Sequence, residues 1–307
     1  MKSATFSPKI GLALGSGASR GWSHIGVIKA LLREGIQPDI ICGTSVGAII
    51  GGSYVAGNLD KLEAWVLGST RRDVLRFFNI GFSQSGFVDI ERLRWFLHTY
   101  VASEDQRIEA MPIKFAAVST DLGTGREVWF TDGRVSEAVA ASLALPGLFP
   151  AVRNDHRWLV DGGLVNPVPV SVCRALGSDV VFAVNLNSGI IGKRNNEGKK
   201  PPPKDTKGGL RNLKQQAKEY SNLIFANHDK QDQPPGLMYA IANSVNIFQD
   251  RITRSRLAGD PADILLSPKV AHIGMLEFYR AAEAIEEGER CVQKALAEIR
   301  EVVGPRA

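Results

Sequence analysis

Residues 43–47 read GTSVG and carry the clearest chemical signal in the chain. A serine between two glycines, after the apolar run DIIC and before a helix-like run of small residues, is the setting of a nucleophile elbow. Gly43 and Gly47 would permit the tight turn, and Ser45 would lie near a helix N-terminus that favours negative charge. A plain glycine-rich turn can have the same five residues, so the rest of the chain must support Ser45 as a nucleophile.

A second glycine-rich segment, GSGASRG (Gly15–Gly21), follows the first apolar run of the chain. The backbone amides of Gly17, Ala18 and Ser19 are candidate donors for the oxyanion that acyl transfer creates. Arg20 could brace this loop or meet a phosphate. A dinucleotide-binding fingerprint fits poorly because its third glycine comes one position late, and the Gly-Lys-Ser/Thr of a P-loop is missing.

A serine nucleophile needs a base, and two kinds of residue are candidates. The spacing singles out none of the five histidines, which are His24, His98, His156, His228 and His272. Asp161, in LVDGGLVNP, ends an apolar strand-like run. A carboxylate at the carboxyl end of a parallel strand faces the crevice where ligands bind, although a turn or cap aspartate would fit the same pattern.

Alternating strand-like and helix-like runs predict the elements that position these residues. Continuous apolar strands favour an α/β fold with three α/β/α layers and a mostly parallel central sheet. We predict one helix from Asp60 to Arg72, and a helical C-terminal part that ends in a long helix over 278–303. No linker-like break divides the first 190 residues, so the pattern indicates one domain over residues 1–307.

Composition limits the class of protein. The 307 residues are 44% hydrophobic and 22% charged, which suits a globular chain with a large core. The three cysteines, Cys42, Cys173 and Cys291, are widely spaced, which argues against a disulfide framework or a zinc site and favours a reducing compartment. We find no secretory signal, and the apolar stretch 40–57 fits a buried strand and helix better than a membrane span. The expected location is the cytoplasm.

Positive charge is concentrated in one stretch. Between Lys193 and Lys214, eight basic residues stand against two acidic ones, whereas the net charge of the whole chain is +5. Such a segment can be attracted to anionic lipid headgroups or nucleic acid, and a solvated loop would have the same composition. Its glycines and prolines predict a mobile basic insertion or lid over 188–236.

Three blocks occur in order along the chain: GLALGSGASRGWSHIGV, GTSVGAIIG and DGG. With these blocks the chain resembles the patatin-like phospholipases, most closely their bacterial, cytoplasmic branch. The resemblance covers about 10–187 and 238–290 and leaves the basic stretch unmatched. It implies a patatin-like α/β/α fold.

The resemblance also implies a Ser-Asp dyad without histidine, in which Ser45 is the nucleophile and Asp161 the proton acceptor. The oxyanion-hole loop would comprise Gly15, Gly17, Ala18, Ser19, Arg20 and Gly21. The elbow would comprise Gly43 and Gly47, and the DGG motif would add Gly162 and Gly163. Ser16 and Ala18 interrupt the glycine run of the family but remove no backbone donor.

The implied activity is hydrolysis of fatty-acyl esters of phospholipids or lysophospholipids through an acyl-serine. No metal or other cofactor is expected, and calcium should not be required. Expected partners are the lipid substrate and an anionic membrane at the inner face, but not nucleic acid. One alternative is a regulatory protein of the same fold that binds lipid or protein and hydrolyses only incidentally. A nucleotide-binding α/β protein is a third hypothesis.

Overall fold

The computed structural model describes residues 7–77, 90–190 and 237–304. The predicted lid over 188–236 therefore lies outside the described residues from position 191 onward. The helices are α1 (Ser23–Arg33), α2 (Val46–Val55), α3 (Leu59–Gly68), α4 (Arg71–Phe77), α5 (Ile90–Tyr100), α6 (Val135–Ser142), α7 (Val170–Ala175), α8 (Leu237–Gly259) and α9 (Ala281–Val303). In the part of the chain that is described, no helix combines the length and apolar character needed to span a bilayer.

Within the described residues, eight strands form one sheet. They are β1 (Ile10–Leu14), β2 (Ile40–Thr44), β3 (Lys114–Asp121), β4 (Glu127–Phe130), β5 (Val152–Asn154), β6 (Arg157–Asp161), β7 (Val180–Val184) and β8 (Ile264–Leu266). Hydrogen-bonded neighbours run β5-β6-β3-β2-β1-β7-β8, and β4 pairs with β3. The pairs β3–β2, β2–β1, β1–β7 and β7–β8 are parallel. The pairs β3–β4, β3–β6 and β5–β6 are antiparallel.

Two apolar cores cover the two faces of the sheet. The larger contains Leu12, Ile41 and Phe115, and the smaller contains Ala13, Cys42 and Val118 from the same strands. Both faces of the central strands are therefore buried, which is why these strands are continuously apolar rather than alternating. This arrangement confirms the predicted α/β fold with a mostly parallel sheet.

The strands β2 and β6 share one edge of β3. Successive residues of a strand direct their N–H and C=O groups to opposite edges. The amide of Lys114 donates to the carbonyl of Asp39, just before β2, and the amide of Leu122 donates to the carbonyl of Trp158 in β6. The two donors are an even number of positions apart, so both bonds leave the same edge.

Consequently β2 ends where the pairing with β6 begins. Thr44, the last residue of β2, lies opposite Val118, and Asp161, the last residue of β6, lies opposite Ser119. Since Val118 and Ser119 are consecutive, the ends of β2 and β6 meet. The topology alone therefore brings Ser45 and Asp161 together from positions 116 residues apart.

The predicted single helix from Asp60 to Arg72 is wrong. The structure ends α3 at Gly68 and starts α4 at Arg71. The hydroxyl and amide of Thr70 both donate to the Asp73 carboxylate, and the Asp73 amide donates back to the Thr70 hydroxyl. This reciprocal N-terminal cap, together with a glycine as the last residue of α3, starts a new helix in place of one continuous helix.

The long last helix packs against the first one at two glycines. A Cβ atom added to Gly288 of α9 would lie 2.0 Å from the carbonyl oxygen of Ser23, and one added to Gly26 of α1 would lie 2.0 Å from that of Ile285. The two helices therefore cross with their backbones in contact. This crossing fixes α1, which carries the glycine-rich segment at its N-terminal end.

Candidate active site

Ser45 occupies a strained turn between β2 and α2. Its backbone has φ 58° and ψ −123°, a conformation that non-glycine residues rarely adopt. A Cβ atom at Gly47 would lie 2.1 Å from the carbonyl oxygen of Leu14, so only glycine lets α2 approach β1 this closely. Strand, strained serine and closely packed helix together have the geometry of a nucleophile elbow.

The Ser45 hydroxyl is directed at a buried carboxylate. Its Oγ donates to Oδ2 of Asp161 at 2.5 Å, and the amide of Gly163 donates to Oδ1 at 2.7 Å. Asp161 is 1% exposed. Burial raises the pKa of this carboxyl to about 6, although the hydrogen bonds from Ser45 and Gly163 act in the opposite direction.

Ser142, at the end of α6, supports this geometry, and no sequence motif indicates it. Its hydroxyl donates to the carbonyl of Val118 at 2.6 Å and accepts from the amide of Ser45 at 2.8 Å. Val118 lies opposite the last residue of β2. The Ser142 hydroxyl therefore replaces a further β2 residue as the hydrogen-bond partner of this carbonyl. A serine on an apolar helix was the available signal, but no motif distinguishes it from other core serines.

The glycine-rich loop lies beside the same two side chains. The amide of Gly15 donates to Val184, and the amide of Ser19 donates to the carbonyl of Met275 at 3.2 Å. Ser19 is therefore already engaged, in contrast to its expected role as an oxyanion donor. Within residues 7–77, 90–190 and 237–304, the amides of Gly17 and Ala18 have no hydrogen-bond acceptor. Ala18 shares a pocket with Ser45 and Asp161.

Two buried side chains brace this loop. The guanidinium of Arg20 is fully buried and donates to Asn246 of α8 at 2.8 Å, so it turns away from the pocket. His24, also buried, lies with Nε2 2.8 Å from the carbonyl oxygen of Gly15. Because a carbonyl only accepts, Nε2 carries the proton. Burial lowers the pKa of His24 to about 4, so the ring is neutral at physiological pH.

The loop is also fixed from the C-terminal side of the chain. The hydroxyl of Ser19 donates to the carbonyl of Gly274 at 2.6 Å, and the indole N–H of Trp22 donates to that of Phe278 at 3.0 Å. Both acceptors lie just before α9. The position of the loop therefore depends on residues far along the sequence, which no local pattern could indicate.

An apolar pocket of about 810 Å³, including its open mouth, adjoins Ser45 and Asp161. Its apolar lining residues are Ala18, Trp22, Val46, Ile49, Trp65, Val66, Val74, Phe77, Leu93, Phe96, Leu143, Leu145, Leu148, Phe149 and Phe278. Besides Ser45 and Asp161, the polar lining residues are Ser69 and Asp73. The pocket therefore accommodates a hydrocarbon chain better than a polar group.

The remaining candidate groups lie elsewhere. Among the described histidines, none lines the pocket, and His228 lies outside the described residues. Cys42 and Cys173 are buried as expected of small core residues, and burial raises the pKa of the Cys42 thiol. In the described ranges, no three His, Cys, Asp or Glu side chains are grouped so that they could hold a metal ion.

Fold and site define a class: α/β proteins in which a serine at a nucleophile elbow faces a carboxylate beside an apolar pocket. The family model described as Patatin-like phospholipase matches residues 12–174. This match spans more than half of the chain and contains both Ser45 and Asp161. The chain belongs to the patatin-like phospholipase family, a family of lipid hydrolases, which confirms the resemblance found in the sequence.

Curated relatives agree with this assignment. An uncharacterized NTE family protein of Mycobacterium tuberculosis is 30% identical over 94% of this chain and 92% of its own length. Lysophospholipase nte1 of Emericella nidulans is 34% identical over 58% of this chain but only 12% of its own length. Among solved structures, VipD from Legionella pneumophila covers 97% of this chain and 77% of that chain, with 12% identity and a TM-score of 0.36.

Proposed function

We propose that the protein hydrolyses fatty-acyl esters of phospholipids or lysophospholipids through Ser45 and Asp161. The observation that carries this proposal is the 2.5 Å hydrogen bond from the Ser45 hydroxyl to the Asp161 carboxylate, both of which line an apolar pocket. Membership in a lipid hydrolase family supports the reaction class. The fungal relatives named lysophospholipase support a lysophospholipid, which carries one acyl chain, as a substrate.

In the first step, Asp161 takes the proton of the Ser45 hydroxyl while Oγ attacks the ester carbonyl carbon. The negative charge that develops on the carbonyl oxygen is stabilised by the amides of Gly17 and Ala18. The dipole of α2, which begins next to Ser45, also stabilises it. The proton on Asp161 then passes to the leaving alcohol, and the acyl group remains on Ser45.

In the second step, water attacks the acyl-serine. Asp161 accepts a proton from this water, the same amides stabilise the second oxyanion, and the proton returns to Ser45 as the fatty acid departs. One residue therefore acts as both base and acid in each half of the reaction. A pKa near 6 suits both tasks better than the ordinary pKa of an aspartate.

The pocket argues for an acyl chain over a nucleotide. Its aromatic and aliphatic walls offer few hydrogen-bonding partners, whereas a nucleotide needs several around its base, ribose and phosphates. Arg20, which could have met a phosphate, is buried against Asn246 instead. The ester group would lie at Ser45 and the hydrocarbon chain would extend toward the cluster of Trp65, Phe77 and Phe96.

Labelling by a fluorophosphonate and turnover of a panel of acyl esters test the proposal. We expect Ser45→Ala to lose both labelling and turnover, and Asp161→Asn to lower kcat by at least about a hundredfold because the base is gone. Ser244→Ala, which removes an exposed hydroxyl on α8, is the control and should match the wild type. Retained labelling in Ser45→Ala, or a wild type that turns over none of the esters, would contradict the proposal.

A further inference from the structure

Three side chains, from β5, from β6 and from the turn that follows β3, form an exposed row. The strand register places Trp158 opposite Arg153 on one side and opposite Leu122 on the other. Residues directly opposite each other in antiparallel strands point to the same face. Leu122 is 58% exposed and Trp158 is 52% exposed. The Arg153 guanidinium lies 6.0 Å from the centre of the Trp158 ring.

This row lies beyond the candidate dyad, toward the carboxyl end of β3. Asp161 pairs with Ser119, whereas Trp158 lies opposite Leu122, three residues farther along the chain and just past the end of β3. Because Trp158 and Asp161 are three positions apart on β6, their side chains point to opposite faces of the sheet. At about 3.3 Å per residue, the tryptophan projects roughly 10 Å past the carboxylate in the direction of the β3 carboxyl end. The half-buried Phe149, which lines the pocket, lies three residues before β5.

Charged side chains lie at the same end of the sheet as this row. Arg153 shares the face of the tryptophan, whereas the exposed Arg126 and Arg157 lie on the other face. Asp155 lies at the tip of the β5–β6 hairpin. The Asp121 carboxylate also lies on that other face, but it is buried and accepts hydrogen bonds from the amides of its own turn. Arginines around an exposed tryptophan and leucine match a membrane interface with anionic lipid.

We propose that the β5–β6 hairpin, together with the turn between β3 and β4, docks on an anionic phospholipid surface. The docking surface consists of Leu122, Arg126, Arg153, Arg157 and Trp158. Leu122 and Trp158 enter the headgroup region, the arginines on the two faces contact lipid phosphates, and the end of the sheet that carries Ser45 and Asp161 is held toward the membrane from which the substrate is taken. The biological role of this docking rests on the proposed function. Membrane binding itself requires no ester hydrolysis and can be measured separately.

Sedimentation with sucrose-loaded vesicles measures this binding. The full chain carrying Ser45→Ala is used, so that no hydrolysis changes the vesicles. Partitioning is compared between pure phosphatidylcholine and phosphatidylcholine with about 30% phosphatidylglycerol. We expect Trp158→Ser to weaken partitioning onto both vesicle types at least about tenfold. We expect Arg153→Gln with Arg157→Gln to weaken it about 25-fold, on the anionic vesicles only.

Matched controls separate this surface from general effects of charge and hydrophobicity. Trp95→Ser removes a tryptophan of α5 that is 54% exposed, and Arg72→Gln with Arg251→Gln removes two exposed charges elsewhere. Both controls should partition like the parent.

Equal losses in controls and hairpin variants would overturn the proposal. So would hairpin variants that bind like the parent, since binding would then reside elsewhere, or a parent that dimerises through this surface and ignores vesicles. If the parent binds through the hairpin while wild-type protein hydrolyses no ester, only the proposed function fails.

Discussion

At the scale of single residues, the pKa of Asp161 links activity to stability. A solvated aspartate is a weak base at neutral pH, and burial brings its pKa to about 6. The same burial makes the charged form costly in the folded protein. The group therefore contributes to stability while it is protonated, and this contribution is lost as pH rises from the unfolded pKa through the folded one.

We predict opposite pH dependences for activity and for this part of stability. Ester hydrolysis should rise with pH up to about 6 and level off above it, because the carboxylate is the base. The free energy of unfolding of Asp161→Asn, relative to wild type, should increase by about 2 to 3 kcal/mol from about pH 4 to pH 7.

Urea denaturation and initial rates over this pH range measure both quantities. The asparagine stays neutral and keeps an acceptor for the Gly163 amide, so the variant isolates the charge. A stability difference that is constant with pH would contradict the burial argument. An activity profile with its acid limb near the ordinary pKa of aspartate would contradict it independently.

At the scale of elements, Ser142 connects α6, β3 and the elbow through two hydrogen bonds. We predict that Ser142→Ala destabilises the protein by about 2 kcal/mol, because the Val118 carbonyl and the Ser45 amide both lose a buried partner. The turnover number should fall more than KM changes, since the elbow is loosened while the acyl pocket is intact.

Ser136 offers a matched control on the same helix. Its hydroxyl is buried and has no hydrogen-bond partner among the described residues, so Ser136→Ala should be nearly neutral. Chemical denaturation and kcat against KM measurements on the two alanine variants make the comparison. Equal effects of both substitutions would show that Ser142 acts only by filling space.

Motifs in the sequence predicted most of the site, because local chemistry determines them. The strand, the Ser45 turn and the small-residue helix could be recognised from one stretch of residues, and Asp161 from its place at the end of an apolar strand. That strand, β6, pairs antiparallel with β3, in contrast to the parallel strand expected at this position. The meeting of the ends of β2 and β6 could not be recognised from the sequence, because it depends on both strands pairing with the same edge of β3. The short strand β5 and the helix α7 were missed because three and six residues carry no readable period.

Ser19 and the break after α3 show two further limits. The Ser19 amide is occupied by Met275, 256 residues along the chain, and pattern reasoning cannot foresee such a distant acceptor. The Asp60–Arg72 prediction followed apolar periodicity through a Thr-x-x-Asp cap that ends one helix and begins another. Polar side chains near a helix end compete with the backbone for its hydrogen-bonding groups, and apolar periodicity carries no signal of this competition.

At the scale of the whole molecule, the crossing of α1 and α9 stabilises the loop beside the site. We predict that Gly288→Ala destabilises the protein by about 1 to 3 kcal/mol and lowers hydrolysis, because the added methyl group would overlap the Ser23 carbonyl. Gly259→Ala, where an added Cβ has no neighbour within 4 Å, is the control and should be neutral. Thermal unfolding and initial hydrolysis rates of the two variants test this prediction. If Gly288→Ala and Gly259→Ala behave alike, the two helices are not closely packed at the crossing.

The bonds from Ser19 and Trp22 to the segment before α9 also set an order of events during translation. A ribosome must add 255 residues after Ser19 before Gly274 exists to receive its hydroxyl. Until then the nascent chain contains Ser45 and Asp161 but lacks the anchors of the neighbouring loop. With the proposed function, this order means that the loop beside Ser45 is anchored only late in synthesis. Lipids of the producing cell therefore do not meet a complete active site while the polypeptide is being made.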